Sequence, residues 1–208
     1  KKGDGITLGP ALSDKSNNTN IIKSNCVFDD LQGYSWSEEA ISYLYGKGIV
    51  NGVRYRYFEP EQTVTREQFL KMLINTFTNV NEPAMASFKD VPNDSWYYPY
   101  IATGIELGIV NGISDNEFGT GMNITREDMA VMICRAFNRF KIEVKEVNPD
   151  ALFYDIYDAA DYSKAYVAKL YRYGIIKGRD DGRFYPKDYA SRAEAAQIIY
   201  NTIVSMED

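Results

Sequence analysis

The amino-acid sequence predicts a mainly α-helical protein built from three tandem copies of a helix-pair unit, joined by short loops or hairpins. Two observations predict this class: a glycine-bounded word that recurs among other fixed landmarks, and apolar residues that recur at helical spacing. GIVNG spans Gly48–Gly52 and Gly108–Gly112, and GIIKG spans Gly174–Gly178. A period of roughly 55–60 residues is typical of repeat proteins, in which one unit cannot bury its apolar stripe alone. The three units must therefore stack or close on one another.

Four further landmarks keep the same order around each glycine word. They are an Asp two residues after a Phe (FxD), an aromatic residue, a Phe behind the word, and a hydroxyl residue followed by Arg. The first copy holds Asp30, Trp36, Phe58 and Thr65-Arg66, the second Asp90, Trp96, Phe118 and Thr125-Arg126, and the third Asp155, Tyr162, Phe184 and Ser191-Arg192. We therefore divide the chain into a leader at residues 1–27 and motifs 1, 2 and 3 at residues 28–80, 81–140 and 141–208. Residues 28–205 are expected to fold as one cooperative domain.

The first helix of each motif is expected to begin near the aromatic landmark and to end at the glycine word. Ser35, Ser95 and Asp161 precede the aromatic residues and are good N-cap residues, and SWSE in motif 1 has the form of a capping box. The first glycine of each word suits a left-handed helix C-cap, and the Ile behind it can pack back on the last turn. A tight turn or a close approach of backbone or ligand is expected at the second glycines, Gly52, Gly112 and Gly178.

The second helix of each motif starts with a Thr or Ser box, which reads TREQ, TRED and SRAE. The hydroxyl residue suits the N-cap, and the Gln or Glu three residues later completes a capping box, which Asp128 shortens. The apolar stripe that follows is wide enough to predict packing on more than one side. It comprises Phe69, Leu70, Leu73, Ile74 and Phe77 in motif 1, then Met129, Ala130, Ile133, Cys134 and Phe137, then Ala195, Ala196, Ile199, Tyr200 and Ile203.

One residue of this box is locally unfavourable, because the helix dipole disfavours a cation at the first helical position by roughly 0.3–1 kcal/mol. That position holds Arg66, Arg126 and Arg192. One interpretation is an ion pair with a nearby acid, for which the FxD acids are candidates. The other is an arginine held at a helix start to grip an anionic ligand together with the free N–H groups of the first turn. The two interpretations can coexist.

Composition argues against several classes of function. A net charge of −6 argues against binding nucleic acid or a bare anionic membrane surface. No apolar run approaches the ~20 residues of a membrane-spanning helix, so membrane insertion is not expected. The chain has no His, which removes His-dependent triads and the commonest zinc ligand, and no metal or cofactor is expected. Cys134 occupies a stripe position, which predicts a buried thiol, although a disulfide between Cys26 and Cys134 stays an alternative.

The landmarks, in this order and three times over, resemble the S-layer homology motif of bacterial surface proteins. The resemblance covers residues 28 to about 205. It rests on Trp36, Gly48, Gly52 and TREQ in motif 1, on Trp96, Gly108, Gly112 and TRED in motif 2, and on Tyr162, Gly174, Gly178 and SRAE in motif 3. Tyr162 departs from the usual tryptophan, TRED shortens the acid, and the linker at residues 138–152 is longer than the first one.

The resemblance implies that the three motifs close into one pseudo-threefold helical body with grooves between neighbouring motifs. It further implies non-covalent binding of secondary cell-wall polysaccharide in those grooves, often through a pyruvylated and hence anionic sugar. The implied location is extracellular, at the cell wall or S-layer. The implied ligand contacts are the box arginine, the motif aromatic, the FxD acid and the second glycine. In this chain they are Arg66, Arg126, Arg192, Trp36, Trp96, Tyr162, Asp30, Asp90, Asp155, Gly52, Gly112 and Gly178.

Two alternatives belong to other classes of function. A protein–protein or peptidoglycan-docking module could use the same helical body without binding an anionic sugar. An enzyme is not expected, because Asp29 and Asp30 are adjacent rather than facing and no other acid cluster stands out. Local charge also ranks the grooves, since the first and third loops carry several cations whereas the second has only Arg126. Grooves built with the first or third loop are therefore expected to bind an anionic sugar better.

Overall fold

A computed structural model of the chain describes residues 27–81, 84–150 and 152–207. Within these ranges the chain forms six α-helices, two in each motif, and one short 3-10 helix. They are α1 Ser35–Gly46, α2 Arg66–Phe77, α3 Tyr98–Glu106, α4 Arg126–Phe140, the 3-10 helix Ile156–Asp158, α5 Asp161–Arg172 and α6 Arg192–Val204. The predicted fold class, mainly helical with three repeated units, is confirmed. The predicted leader falls outside the described residues except for Val27.

Each first helix packs against the second helix of a different motif. The helix α3 packs on α2, α5 packs on α4, and α1 packs on α6. The first two pairs join motifs that are neighbours in the sequence, and the third brings the two ends of the chain together. The second helices meet at the centre, where α2 contacts both α4 and α6. The three motifs therefore close into a ring, and each packed helix pair is shared between two motifs.

A cycle of three backbone hydrogen bonds lies at the segments that lead into the second helices. The N–H of Val64 donates to the carbonyl of Ala190 at 3.0 Å, and the N–H of Ala190 donates to the carbonyl of Ile124 at 3.1 Å. The N–H of Ile124 closes the cycle on the carbonyl of Val64 at 3.0 Å. All three residues are buried. Because each one donates once and accepts once, the cycle ties the starts of α2, α4 and α6 together.

The glycine words end the first helices in the predicted way. The first glycine is left-handed in every copy, with φ of 69° at Gly48, 69° at Gly108 and 73° at Gly174. The Ile behind it folds back on the helix, as shown by the N–H of Ile49, which donates to the carbonyl of Leu44 at 2.9 Å. The isoleucine is buried in all three copies. The predicted end of the helix at the glycine and the predicted packing of the Ile on the last turn are therefore confirmed.

A tight hairpin turn follows each glycine word. In motif 1 the N–H of Val53 donates to the carbonyl of Tyr57 at 3.0 Å. The equivalent bonds join Ile113 to Glu117 and Arg179 to Arg183, each at 2.8 Å. These turns agree with the short hairpins expected from the sequence.

The hydroxyl caps of the second helices form as predicted at α4 and α6, whereas at α2 only Gln68 caps, through its Oε1, which accepts the N–H of Thr65 at 3.1 Å. At α6 the Ser191 hydroxyl accepts the N–H of Glu194 at 3.2 Å, and the Glu194 carboxylate accepts the N–H of Ser191 at 2.9 Å. At α4 the Thr125 hydroxyl accepts the N–H of Asp128 at 3.2 Å. The short Asp128 side chain makes its own bonds elsewhere, so this cap is the shortened form that the sequence indicates.

The predicted N-caps of the first helices are wrong. Ser35 and Asp161 are already the first helical residues of α1 and α5, and α3 begins only at Tyr98. The Ser95 hydroxyl donates to the carbonyl of Pro92 at 2.7 Å. A hydroxyl bonded to a preceding carbonyl stabilises a turn ahead of the helix instead of capping the helix itself.

The apolar stripes of the second helices form the centre of the core. Every predicted stripe residue is buried except Tyr200, which is half-buried. Cys134 is a buried free thiol, and burial raises its pKa to about 12. Cys26, its candidate disulfide partner, lies outside the described residues. Among the helices in the described ranges, none combines the length and the apolar character that crossing a bilayer requires.

Candidate functional site

A concave groove lies where motif 3 meets motif 1, and we call it groove 3–1. Its cavity has a volume of about 220 Å³. It is lined by the loop at residues 51–53, by Gln68 and Lys71 of α2, by Trp96 of motif 2 and by Arg192 at the start of α6. Ring closure brings these segments together, because α1 packs on α6 and α3 packs on α2. Three predicted site residues therefore meet here, one from each motif: Gly52, Trp96 and Arg192.

Arg192 supplies one cation of groove 3–1. Its Nε donates to the carbonyl of Phe58 at 2.8 Å, and its Nη2 donates to the carbonyl of Asn51 at 2.9 Å. The guanidinium carbon lies 4.5 Å from the centroid of the Phe58 ring. Burial lowers the pKa of Arg192, and the charges of Glu59 and Asp30 oppose that shift. Among the described residues these bonds use two of the five N–H donors of a guanidinium, so three remain for a ligand.

A second cation and an exposed aromatic ring line the same groove. The Nζ of Lys71 lies 5.6 Å from the centroid of the Trp96 ring and 5.8 Å from that of Tyr100. Trp96 is 51% exposed. Its indole offers a flat apolar face beside two positive charges. The groove therefore suits a ligand with an apolar face and an anionic group.

The corresponding arginines at the other two junctions, between motifs 1 and 2 and between motifs 2 and 3, form ion pairs inside the protein. The Nη1 of Arg66 donates to Asp128 at 3.0 Å, and the Nη1 of Arg126 donates to Glu194 at 2.5 Å. Both arginines are buried, whereas Arg192 is only half-buried. Burial lowers the pKa of Arg126, and the charge of Glu194 opposes that shift. In each pair the acid belongs to the box of the next motif.

The predicted ion pairs between the FxD acids and the box arginines are therefore wrong. Asp30 accepts the N–H groups of Phe58 and Glu59 at 2.9 and 2.7 Å. The equivalent contacts join Asp90 to Phe118, Gly119 and Thr120, and Asp155 to Phe184 and Tyr185. Each FxD acid thus holds the loop of its own motif. Within the described chain, none of the three lines groove 3–1.

Hydrogen bonds explain the titration of one of these acids. Burial on its own raises the pKa of Asp90, but the N–H groups of Thr120, Phe118 and Gly119 outweigh burial and lower it below its ordinary value of 3.8. The Thr120 hydroxyl also donates to the carbonyl of Asp90 at 2.8 Å. The charged carboxylate is therefore the form that the folded loop requires.

The N–H groups at the starts of the second helices are already bonded, which contradicts the expectation that they would grip an anion. Those of the three box arginines donate to carbonyls of a neighbouring motif: Arg66 to Met122 at 2.9 Å, Arg126 to Asp188 at 3.0 Å and Arg192 to Gln62 at 2.8 Å. The next N–H groups of α4 and α6 do the same, from Glu127 to Pro186 and from Ala193 to Pro60. The guanidinium side chain, and not the helix terminus, is what groove 3–1 offers to an anion.

The second glycine of each word marks a close approach of the chain to itself. A Cβ at Gly52 would stand 2.7 Å from the Phe28 ring and 2.8 Å from the carbonyl oxygen of Tyr57. The FxD rings Phe88 and Phe153 face Gly112 and Gly178 in the same way, at 2.6 and 3.1 Å. The predicted close approach is confirmed as one of backbone and ring. Gly52 also lines groove 3–1.

The three motif aromatics are all exposed, with Trp36 at 52%, Trp96 at 51% and Tyr162 at 56%. They do not share one environment. The Tyr162 hydroxyl donates to Asp128 at 2.8 Å, so it joins the ion pair of Arg66. Burial, followed by the bond to Asp128, raises the pKa of Tyr162. Trp96 is the aromatic that lines groove 3–1.

Sequence reasoning missed Lys71. This position of the second helix holds Val131 in motif 2 and Gln197 in motif 3. A cation that appears in one copy of a repeat, at a position where the other copies are uncharged, was the available signal. It would have pointed to the groove that Lys71 lines.

A closed ring of helical repeats with a cationic groove lined by residues of all three defines a repeat-built binding module. The sequence profile of the S-layer homology domain matches residues 27–70, 87–130 and 152–196, which is more than half of the chain. The chain therefore belongs to the S-layer homology family.

Relatives of known name include enzymes and surface-layer proteins. Exoglucanase XynX of Acetivibrio thermocellus is 34% identical over 88% of this chain and 17% of the enzyme. The S-layer protein sap of Bacillus anthracis is 30% identical over 88% of this chain and 22% of that protein. The Surface-layer 125 kDa protein of Lysinibacillus sphaericus is 27% identical over 86% of this chain and 15% of that protein. The chain thus matches less than a quarter of each relative.

Proposed function

We propose that this chain anchors a protein to the bacterial cell wall by non-covalent binding of secondary cell-wall polysaccharide, through an anionic and pyruvylated sugar. The observation that carries the proposal is groove 3–1. There Arg192, Lys71 and the exposed Trp96 border one cavity, and no carboxylate is among its described lining residues. The module would act outside the cell, at the wall or in the S-layer.

The names of the relatives support attachment as the shared role. S-layer proteins carry this module, and so do an exoglucanase, an endoglucanase and an amylopullulanase. These proteins differ in their named activities, while the matched region covers only a minor part of each. A module shared among proteins of such different names is expected to serve attachment, as the S-layer names suggest, and not catalysis.

The chemistry of the groove fits a sugar that bears a carboxylate. Arg192 presents N–H donors that can bind both oxygens of a carboxylate, and such bidentate pairs are specific as well as strong. A hydrogen bond to a charged group contributes roughly 1.5–3 kcal/mol, which corresponds to about tenfold to a hundredfold in affinity. The apolar face of a sugar ring can stack on Trp96, while the charge of Lys71 raises the local concentration of an anion.

Cosedimentation with cell-wall sacculi tests the proposal. The chain should sediment with intact sacculi and should lose most of its binding when the polysaccharide is stripped from them. Undiminished binding to stripped sacculi would show a peptidoglycan-docking module instead. Release of soluble sugar from the sacculi would show an enzyme.

A matched pair of variants connects the result to groove 3–1. Arg192→Ala removes the groove cation and should reduce binding at least about tenfold, because a charge-assisted bond is lost. Arg139→Ala removes an exposed arginine that does not line the groove and should leave binding unchanged. Equal losses in both variants would mean that general positive charge, and not the groove, holds the wall polymer.

A further inference from the structure

We infer that Gln68 is a specificity-determining residue, which makes groove 3–1 an anion site by leaving Arg192 without a carboxylate partner. The inference rests on the proposed function, because it concerns the same groove. It explains why one of three related junctions should bind the anion while the other two hold the ring together.

The box arginine and the box acid of one helix do not face each other, because residues two apart point away from each other on a helix. Two of the arginines instead meet the third residue of the second helix of the next motif. Arg66 pairs with Asp128 and Arg126 pairs with Glu194, at 3.0 and 2.5 Å. In a closed ring the motif that follows motif 3 is motif 1, so the residue that corresponds to these acids for Arg192 is Gln68. Both Arg192 and Gln68 line groove 3–1.

Gln68 cannot neutralise Arg192. The amide is uncharged, and its Oε1 already accepts the N–H of Thr65 at 3.1 Å. The acids whose charges act on Arg192 are Glu59 and Asp30. Glu59 lies 3.6 Å from the guanidinium of Arg54, and Asp30 accepts two backbone N–H groups of its loop. Among the described residues, the ion pair seen at the other two junctions is therefore missing at this one.

Lys71 increases the difference in charge between groove 3–1 and the other two junctions. It lies one turn after Gln68 on α2 and lines the same groove. The equivalent positions hold the uncharged Val131 and Gln197. Groove 3–1 thus combines two cations with a neutral amide, whereas each of the other junctions sets its box arginine against a carboxylate. Local charge of this kind determines where an anion binds.

One substitution converts the junction to the type of the other two. Gln68→Glu places a carboxylate at the third helical position, where Glu194 shows that Glu can cap the helix and pair with an arginine at the same time. An acid in the first helical turn is also favoured by the helix dipole. The variant should therefore fold and melt at or above the temperature of the parent chain.

The test uses two probes of nearly equal shape: a methyl glycoside that carries a pyruvate ketal, and its uncharged methyl ester. The parent chain should bind the acid at least about tenfold more tightly than the ester in an NMR titration, because only the acid offers a charge to Arg192. Gln68→Glu should weaken binding of the acid about tenfold or more and should change binding of the ester less than about twofold.

Gln32→Glu is the matched control, because it makes the same change of charge at an exposed residue that does not line groove 3–1. It should bind both probes as the parent chain does. An acid preference in Gln68→Glu equal to that of the parent chain would overturn the inference, as would a melting temperature below that of the parent chain.

The inference and the proposed function can fail separately. A parent chain that sediments with sacculi but does not distinguish the acid from the ester would overturn the role of Gln68 and leave wall anchoring in place. A parent chain that binds neither sacculi nor probes would overturn both.

Discussion

Replacement of Arg126 by Met should destabilise the protein far more than the same replacement of Arg192, although both arginines occupy the first helical position of their motifs. Arg126 is 4% exposed and donates to Glu194, to the carbonyl of Phe184 at 2.8 Å and to the carbonyl of Lys177 at 3.2 Å. Met roughly preserves the length and apolar volume of the side chain. The comparison therefore isolates the charge and its hydrogen bonds.

The magnitude follows from what each replacement leaves behind. Removal of one member of a buried ion pair costs about 3–5 kcal/mol, because the other charge stays buried. The Glu194 side chain is 23% exposed, which permits partial hydration, so about 2–4 kcal/mol is expected for Arg126→Met. Arg192→Met leaves two carbonyls without donors but no buried carboxylate, and about 1–2 kcal/mol is expected. The melting temperature should fall by roughly 2–4 °C per kcal/mol for a domain of this size.

Urea unfolding followed by circular dichroism measures both free energies, and a double-mutant cycle with Glu194→Gln measures the pair. Gln retains the cap of α6, as Gln68 does at α2, so the cycle reports the loss of charge. A coupling free energy of about 1–3 kcal/mol is expected for residues in direct contact. Coupling below about 0.5 kcal/mol, or equal destabilisation by the two arginine replacements, would refute the assignment of Arg126 as a structural ion-pair partner.

Three further predictions follow from the geometry. Trp96→Ala should weaken binding of wall polysaccharide about twofold to tenfold with little change in melting temperature, because the ring is half exposed and lines the groove. The control is Trp36→Ala, which removes an equally exposed ring outside groove 3–1. An equal loss of binding affinity in the two variants would contradict the role of Trp96. Asp90→Asn should destabilise by about 2 kcal/mol at neutral pH, since an ionised acceptor of three N–H groups is lost. Because the pKa of Asp90 is lowered, its stabilising contribution is present above pH 3.8 and is lost as the pH falls through the lowered pKa. The difference in unfolding free energy between parent and variant, measured by urea titration, should therefore narrow below about pH 4. A difference that does not change with pH would contradict this. A fragment truncated after Val80 should show no cooperative unfolding transition by circular dichroism, because α1 loses its partner α6 and α2 loses α3; a cooperative transition in that fragment would argue against one shared domain.

Local features of the fold were predictable from the sequence because their causes are local. A helix that ends at a left-handed glycine, a hydroxyl N-cap with Gln or Glu three residues later, and a wide apolar stripe each depend on residues within a few positions of one another. The structure shows all three, except that the Thr65 hydroxyl at α2 makes no cap bond. The caps of the first helices were mispredicted for a reason that is also local: Ser95 bonds to the carbonyl of Pro92 and not to the helix.

Contacts between motifs were not predictable in the same way. Arg66 and Asp128 are 62 residues apart, and Arg126 and Glu194 are 68 residues apart, so nothing in one copy identifies the partner. The geometry nevertheless contained a clue, because an arginine and an acid two residues apart on one helix must point to different neighbours. In a closed ring those neighbours are the adjacent copies. The arginine, the aromatic and the second glycine of the candidate site were therefore foreseen as groove residues, but which copies of them share one groove was not.

The backbone cycle through Val64, Ile124 and Ala190 also limits how such a chain can grow. An open array of repeats lengthens one unit at a time, because each end presents a surface on which another unit can stack. In this cycle every N–H and every C=O of the three residues that form it is already matched. A fourth copy would find no unmatched N–H or C=O among these three residues, and its insertion into the ring would break the cycle of hydrogen bonds. We therefore expect a further copy of the motif to pack outside this ring, and not to become its fourth member.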